Sequence, residues 1–294
     1  MNSANPTRKS TSTGLWRDAY RRLRKNRFAM TGLVVVCAVT VFCLLGPLVV
    51  PHRYDAQDRD HKFQPPGPQH WFGTDQLGRD LLVRVMIGGR ISLLVGIAAT
   101  AVSVLIGVSY GAVAGFLGGR TDAAMMRVVD VLYTLPFTIL AIILVTYFGR
   151  SIILVFAAIG AVEWLTMARI VRGRILSLKQ QEFVEAAVAL GLSRRRVLFR
   201  HLLPNVIGTV AVYVTLTIPR VMLLEAFLSY LGLGLHAPMS SWGTLIKEGA
   251  AAMEEYAWLL IFPSAALALT LLALNFLGDG IRDALDPRAA KART

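Results

Sequence analysis

Residues Ile91–Leu117 read ISLLVGIAATAVSVLIGVSYGAVAGFL, a stretch without one charged side chain. An α-helix needs about 20 consecutive apolar residues to cross the hydrocarbon core of a bilayer. Five further apolar stretches of spanning length are Phe28–Val50, Met125–Phe148, Ile152–Ile170, Val206–Tyr230 and Tyr256–Leu277. The sequence therefore predicts an all-α fold, a polytopic membrane bundle of six transmembrane helices.

The composition of the chain agrees with this fold class. The 294 residues are 55% hydrophobic and 17% charged, and the mean hydropathy is +0.55. This apolar excess excludes an ordinary soluble domain and leaves no room for a large one beside six spans. The formal net charge of +13 has to be explained within a membrane protein, so it does not indicate a nucleic-acid partner.

The positions of the basic residues predict how the bundle is oriented. Most of the 31 Lys and Arg residues lie before Phe28, in the segment 171–204 or at the C-terminal end, and six spans place these segments on one side. Basic residues near spans stay on the cytoplasmic side. We therefore expect both termini in the cytoplasm and the loop 51–90 outside.

The N-terminal segment also has an amphipathic pattern. Aromatic and apolar residues share one helical face and arginines share the neighbouring face, namely Trp16, Tyr20 and Leu23 beside Arg17, Arg21 and Arg24. Such a pattern is typical of an interfacial helix in the inner headgroup region, which makes membrane lipid a partner of the chain. The alternative is a basic, disordered tail.

These predictions divide the chain into five segments. They are a basic cytoplasmic tail with the interfacial helix (1–27), the first transmembrane helix (28–50), an external loop (51–90), a transmembrane core that includes a cytoplasmic loop at 171–204 (91–278), and a cytoplasmic C-terminal tail (279–294).

The cytoplasmic loop is the most informative segment for function. Residues 177–204 read SLKQQEFVEAAVALGLSRRRVLFRHLLP. Gly191 predicts a helix stop and Ser193 a cap for a second helix. The expected apolar face of the first helix consists of Phe183, Ala186, Ala187 and Leu190. Such a projecting helix pair suits docking in a groove of another protein; the alternative is a solvated loop that covers the end of the bundle.

This loop carries a resemblance. Glu185-Ala186-Ala187, then Gly191 and His201-Leu202-Leu203-Pro204, is similar to the E-A-A-x3-G-x9-I-x-L-P loop of membrane subunits of ATP-binding-cassette importers, with His201 in place of Ile. In that family the loop sits in a cleft of the cytoplasmic ATPase and transmits nucleotide-driven closure. The resemblance implies a coupling role for Glu182, Glu185, Ala186, Ala187, Gly191, Leu203 and Pro204.

Strings in the rest of the chain resemble one subgroup, the C-type permease subunits of dipeptide and oligopeptide importers, which have the type I importer fold. They are Gly73–Asp80 (GTDQLGRD), Glu225–Gly234 (EAFLSYLGLG), Ser241-Trp242-Gly243 and Gly278–Pro287 (GDGIRDALDP). The resemblance implies a heterodimer with a second six-helix permease subunit. It also implies two ATPase subunits or domains, an external substrate-binding protein and the bacterial cytoplasmic (inner) membrane.

The sequence does not favour chemistry within this chain. No lysine follows a glycine, so the chain lacks a phosphate-binding P-loop, and no H-E-x-x-H motif is present. The segment Gly73–Asp80 lacks the alternating oxygen ligands of an EF-hand. We therefore expect no enzyme activity, no catalytic, cofactor or metal site and no cofactor on this chain, with ATP and Mg²⁺ bound by the partner ATPases.

Two ionisable residues, Arg220 and Glu225, fall inside the fifth predicted span. Such residues are costly in lipid and indicate function. Glu225 would face the translocation path or a partner span, and Arg220 would contact a peptide carboxylate. Their alternatives are a salt bridge at the subunit interface or snorkelling to the outer surface.

Several functions stay open at this point. Relatives of the subgroup also carry nickel, glutathione or other small solutes. Outside the importer class, a channel would open without ATP, although the spans show little sign of polar rings. A structural membrane scaffold would explain the apolar stretches but not the Gly-containing loop.

Overall fold

The computed structural model describes residues 12–136, 139, 142, 143, 147, 152–234 and 238–285. Within these ranges the chain is helical apart from its connections, and its β pairing is an isolated bridge between Thr74 and Asp80. The α-helices are α1 (Ser12–Lys25), α2 (Arg27–Val49), α3 (Leu81–Leu117), α4 (Gly119–Thr134), α5 (Ile152–Lys179), α6 (Glu182–Ala189), α7 (Arg194–Arg196), α8 (Leu203–Leu228), α9 (Trp242–Ala251) and α10 (Trp258–Leu285). Two π-helical turns, Val197–Leu202 and Ser229–Leu233, flank α8.

The described residues contain four helical stretches that are long and apolar enough to cross a membrane: Arg27–Val49, Leu81–Leu117, Arg194–Leu233 and Trp258–Leu285. They correspond to the first, second, fifth and sixth predicted spans. α5 extends over 28 residues at the place of the fourth. Much of the third predicted span, Met125–Phe148, and the hairpin connection 149–151 lie outside the described residues. An all-helical membrane bundle is therefore confirmed, and the count of six stays a prediction.

α3 begins at Leu81, ten residues before the predicted span Ile91–Leu117, so the first turns of this helix lie within the segment 51–90. Asp80 caps this helix, with its Oδ1 atom accepting a hydrogen bond of 3.0 Å from the amide of Val83. Hydropathy gave a later start because it counts Arg84 and Arg90 as exposed charges. Both have partners. Arg84 is buried against carboxylates, and Arg90 donates to the Cys43 carbonyl at 2.6 Å.

The bond from Arg90 follows from the sequence of α2. Pro47 lies inside that helix and has no amide hydrogen. The carbonyl four residues earlier, that of Cys43, consequently lacks its usual helical donor. Arg90 supplies one, so the proline in α2 and the arginine in α3 compensate each other.

The central contact of the bundle joins α3 to α5 over a row of glycines. A Cβ atom on Gly107 would lie 2.8 Å from the carbonyl oxygen of Trp164, and one on Gly115 would lie 2.9 Å from that of Arg172. Gly111 lies against the backbone of Ala168 in the same way. Small residues at this spacing let two backbones approach closely in a membrane. Since both sets of residue numbers increase together, α3 and α5 run parallel.

α2 runs antiparallel to α3 and to α10, and α8 runs antiparallel to α3. Gly46 and Cys43 of α2 pack against Met86 and Gly89 of α3, and Gly32 of α2 packs against Ala273 of α10. Ser92 of α3 meets Glu225 of α8. These pairings place the start of α2, the end of α3 and the end of α10 at one end of the bundle, which we call the coupling end. The loop 51–80 and α9 lie at the opposite end.

α1 is a helix, as the amphipathic pattern predicted. Its buried residue is Ala19, and Leu23 lies near Gly280 of α10, while Tyr20 is 64% exposed. α1 therefore packs on the coupling end of the bundle through a narrow face. Its position relative to a lipid surface stays a prediction, and side chains before Arg17 lie outside the described residues.

Candidate functional site

The predicted coupling loop forms two helices joined at a glycine. α6 ends at Ala189 with Leu190 as its C-cap, and Gly191 follows in the left-handed region with φ of 75°. The amides of Gly191 and Leu192 donate to the carbonyls of Val188 and Ala187, at 2.9 and 3.2 Å. This pair of bonds is the Schellman motif. The predicted helix stop at Gly191 is therefore confirmed.

The second helix begins as predicted at Ser193, the N-cap of α7. The Ser193 side chain makes no capping hydrogen bond, so only its position fits the prediction. The chain then widens into the π-helical turn Val197–Leu202 before α8. π turns frequently occur at functional sites.

The face of α6 that packs on the bundle differs from the predicted one. Val184 and Ala187 are buried, whereas Phe183 and Leu190 are 40% and 81% exposed. The prediction that Ala187 shares an exposed apolar face is wrong. Val184 and Ala187 are three residues apart on the side that meets the end of α5, so this pair forms the buried face.

The remaining predicted coupling residues lie at the surface of this segment. Glu182, Glu185, Ala186 and Pro204 are exposed and Leu203 is half-buried. On α6 and its C-cap, Glu182, Phe183, Glu185, Ala186 and Leu190 form a surface with two carboxylates and two large apolar side chains. We call this the docking surface.

The docking surface stands on an apolar base shared with three long helices. The base includes Ala112 of α3, Ile175 and Leu178 of α5, Val184 of α6 and Leu202 before α8. A force on α6 would therefore act on the ends of the long helices at the coupling end through packed side chains and not through a free linker.

Two polar contacts reinforce this base. Lys179, the last residue of α5, donates to the Phe116 carbonyl at 3.0 Å, where its charge complements the C-terminal dipole of α3. Arg172 of α5 forms a two-bond ion pair with Asp122 of α4, at 2.5 and 2.6 Å. The Arg172 guanidinium holds the pKa of the Asp122 carboxyl below its usual value. These contacts connect α5 to both α3 and α4.

Of the two ionisable residues in the fifth predicted span, Glu225 is buried within the chain, only 2% exposed. Its carboxylate accepts hydrogen bonds from Ser229 at 2.7 Å and from Ser92 of α3 at 3.1 Å. The Ser92 hydroxyl in turn accepts from the backbone amide of Trp242 in α9. Glu225 therefore links three helices.

Arg220 is exposed on the surface of the described chain. It lies near enough to Glu163 of α5 and to Tyr213 to interact with both electrostatically. The two ionisable residues thus have different surroundings. Arg220 is accessible to an approaching group, and Glu225 is not.

At the opposite end of the bundle lies a charge network that the sequence analysis did not predict. Arg84, 2% exposed, donates to Asp75 at 2.6 Å and to Glu248 of α9 at 2.7 Å. Arg79 donates to the same Asp75 oxygen at 2.6 Å. Two arginines and two acids balance in charge, and their contacts connect the loop 51–80 to α3 and α9.

The same end contains a second unpredicted group, His52, His70 and Asp80, whose potential ligand atoms lie within 4.8 Å of one another. No sequence motif indicates the charge network or this group, because irregular segments of the chain separate their members. The one available signal was the density of oppositely charged and imidazole side chains in the predicted external loop.

Comparisons with known proteins show which family the chain resembles along its sequence. The family model for the inner membrane component of binding-protein-dependent transport systems matches residues 81–291. The model for the N-terminal transmembrane domain of oligopeptide transport permease C matches residues 14–66. The two models together account for most of the chain.

Individual relatives match over nearly the whole chain. The oligopeptide transport system permease proteins OppC of Haemophilus influenzae and of Escherichia coli K12 are 52% and 51% identical, over 93% of this chain and 89% and 91% of theirs. The dipeptide transport system permease protein DppC of Bacillus subtilis is 43% identical, over 95% of this chain and 88% of its own.

Proposed function

Since this chain belongs to the family of binding-protein-dependent transport system inner membrane components, we propose that it is the membrane-spanning permease subunit of an ATP-driven importer of oligopeptides and dipeptides. It would form half of the translocation pathway and couple that pathway to a partner ATPase. The observation that carries this proposal is the docking surface on α6, presented by a glycine-capped helix and supported by the ends of three spans.

The transmission of force follows from the contacts at the coupling end. A partner ATPase would hold the docking surface, and its closure on ATP would displace α6. Leu178 and Lys179, which directly precede this segment, would carry the displacement into α3, and Arg172 would carry it into α4. The ATP and Mg²⁺ belong to the partner, so this chain contributes coupling and a pathway but no hydrolysis.

The pairing of helices supports the proposed topology. Because α3 and α5 run parallel, the chain has to return across the bundle between Leu117 and Ile152, as six spans require. The ends of α2 and α10 that point toward the chain termini lie at the coupling end. If the coupling end faces a cytoplasmic ATPase, both termini are cytoplasmic in a multi-pass protein of the bacterial inner membrane.

The partners follow from this arrangement. A second six-helix permease subunit would complete the pathway, and Arg220 is the accessible ionisable residue that would meet it or a peptide carboxylate. An external substrate-binding protein would dock on the loop 51–80 and the segment before α9. The names of the relatives favour peptides as cargo; nickel and glutathione are the alternative cargoes.

The proposal is tested by purifying the full chain from its native membrane with the proteins bound to it. We expect an ATPase, a second permease subunit and a binding protein whose ligand is identified as a peptide by mass spectrometry. In proteoliposomes, uptake of that peptide should require ATP. Uptake without ATP would instead establish a channel, and absence of any ATPase would establish a scaffold.

A pair of variants tests the coupling surface itself. Glu185→Lys reverses a charge on the docking surface, and Glu254→Lys makes the same change at an exposed position at the other end of the bundle. We expect the first to reduce copurification of the ATPase and the second to leave it unchanged. Equal retention in both would refute the assignment of α6 as the docking helix.

A further inference from the structure

Three side chains with metal-binding atoms converge at the end of the bundle opposite the coupling end. His52 follows the end of α2, His70 lies in the external loop and Asp80 caps α3. Their potential ligand atoms are all within 4.8 Å of one another, and the two imidazole ring centroids are 4.8 Å apart. Three separate parts of the chain therefore meet at one point.

The carboxylate and one imidazole of this group are held in place. The Oδ2 atom of Asp80 lies 2.8 Å from Nδ1 of His70, and its Oδ1 atom accepts from the amide of Val83. The side chains of Asp80 and His70 are only 3% and 13% exposed. Ordering two ligands beforehand lowers the entropic cost of binding an ion.

The second imidazole is oriented by a backbone group. Nε2 of His52 lies 3.2 Å from the carbonyl oxygen of Gln69. A carbonyl oxygen can only accept a hydrogen bond, so Nε2 carries the hydrogen and the lone pair of the neutral ring lies on Nδ1. Histidine ligands of metals characteristically donate their other nitrogen to a carbonyl or carboxylate in this way.

From this geometry we infer that His52, His70 and Asp80 form a site for Zn²⁺ or a divalent transition metal of similar preference. Two imidazoles and one carboxylate are the three-ligand set typical of zinc sites that keep a fourth position for water. Ca²⁺ and Mg²⁺ prefer an all-oxygen shell, which this group does not offer. The ligand types therefore select a borderline metal over the common hard cations.

Metal binding would also connect elements of the chain that are separate in sequence. The bound ion would join the end of α2 to the start of α3 and close the external loop between them. This inference does not depend on the transported cargo and goes beyond the proposed function.

The test uses the full chain, purified in detergent through a tag without histidine and freed of metal with a chelator. Zn²⁺ is titrated into wild type, His52→Ala and His61→Ala while heat release is recorded. His61 is the matched control, because it is a histidine of the same loop whose hydrogen-bond partner, Asp58 at 2.7 Å, lies outside the group of three.

We expect wild type and His61→Ala to bind one Zn²⁺ per chain with equal affinity. Loss of an outer-shell partner alone costs about 10–100-fold in metal affinity, so His52→Ala, which removes a ligand, should lose about 100-fold or more. Zn²⁺ should also raise the thermal unfolding midpoint of wild type and His61→Ala but not of His52→Ala.

The control for folding is the unfolding midpoint without metal, which should be nearly the same in His52→Ala and wild type, because the ring is partly exposed and makes only a long hydrogen bond to Gln69 and a contact with the His70 ring. Absence of saturable Zn²⁺ binding in wild type, or unchanged binding in His52→Ala, would overturn the inference. Equal losses in His52→Ala and His61→Ala would overturn it as well, because they would indicate general binding to loop histidines.

Discussion

Replacement of Gly191 by alanine tests how the docking surface is held. Gly191 has φ of 75°, and a Cβ atom added there would have no neighbour within 4 Å. The cost of the methyl group is therefore purely a cost of backbone conformation. An L-residue in the left-handed region costs about 1–2 kcal/mol. We expect Gly191→Ala to lower the free energy of local opening of α6 by this amount, and Gly191→Asn, which tolerates the conformation, to lower it less.

Gly173→Ala is the matched control. Gly173 lies in α5, a Cβ atom there also has no neighbour within 4 Å, and its φ is not positive. The same change in a helix interior should stabilise the chain by about 0.5–1 kcal/mol. The two substitutions thus add the same methyl group to the same open space and are expected to act with opposite sign.

The assay is amide hydrogen exchange of residues 182–192 in the purified chain, followed by mass spectrometry. A loss of about 1–2 kcal/mol corresponds to exchange that is faster by about 5–30-fold in Gly191→Ala. In the assembled importer the same variant should hydrolyse ATP with less stimulation by the loaded binding protein. Wild-type exchange in Gly191→Ala, or equally fast exchange in Gly173→Ala, would refute the role given to the left-handed glycine.

Three further substitutions probe other contacts. Gly111→Leu places a side chain against the backbone of Ala168, so we expect less folded chain in detergent chromatography. A yield equal to that of wild type would contradict the close packing of α3 on α5. Glu225→Ala leaves two buried serine hydroxyls without their acceptor and should lower stability by about 2 kcal/mol, with Glu225→Gln closer to wild type, as measured by thermal unfolding. Asp122→Asn removes the partner of Arg172 and should cost about 1 kcal/mol at pH 7. Because the pKa of Asp122 is lowered in the folded chain, the stability from the ion pair is fully present above the unfolded pKa of 3.8 and is lost as pH falls through the lower folded pKa. A difference in stability between Asp122→Asn and wild type that persists at pH 2 would exclude the ion pair as its cause.

Hydropathy was sufficient to predict the long helices but not where they end. The start of α3 was placed ten residues late because Arg84 and Arg90 look like exposed charges in the sequence. Their partners, Glu248 and the Cys43 carbonyl, are distant along the chain. A charge hidden by a long-range partner has no local signature, and this limits the prediction of span boundaries.

The structure of the coupling segment was also predictable only in part. Gly191 was predictable as a helix stop because a single residue type fits the left-handed turn. The buried side of α6 was not predictable, because Phe183 and Val184 are both apolar. Only the shape of the apolar base beneath α6 selects Val184. The approach of His52 to Asp80 depends on the path of the external loop, which no residue spacing encodes.

The glycine row of α3 also limits how this chain can move. Its glycines recur every four residues, about 6 Å along the helix axis, and each lies close to a backbone carbonyl of α5, with the side chains of Met167 and Ile175 beside Gly107 and Gly115. Sliding of α3 along α5 would push side chains of α3 into the backbone of α5. We therefore expect the two helices to move as one rigid body. Against α8, by contrast, Gly96 of α3 meets the pliable side chain of Met222. We therefore expect the change between inward-open and outward-open states to take place at the contact between α3 and α8. In this change α3 and α5 would move together.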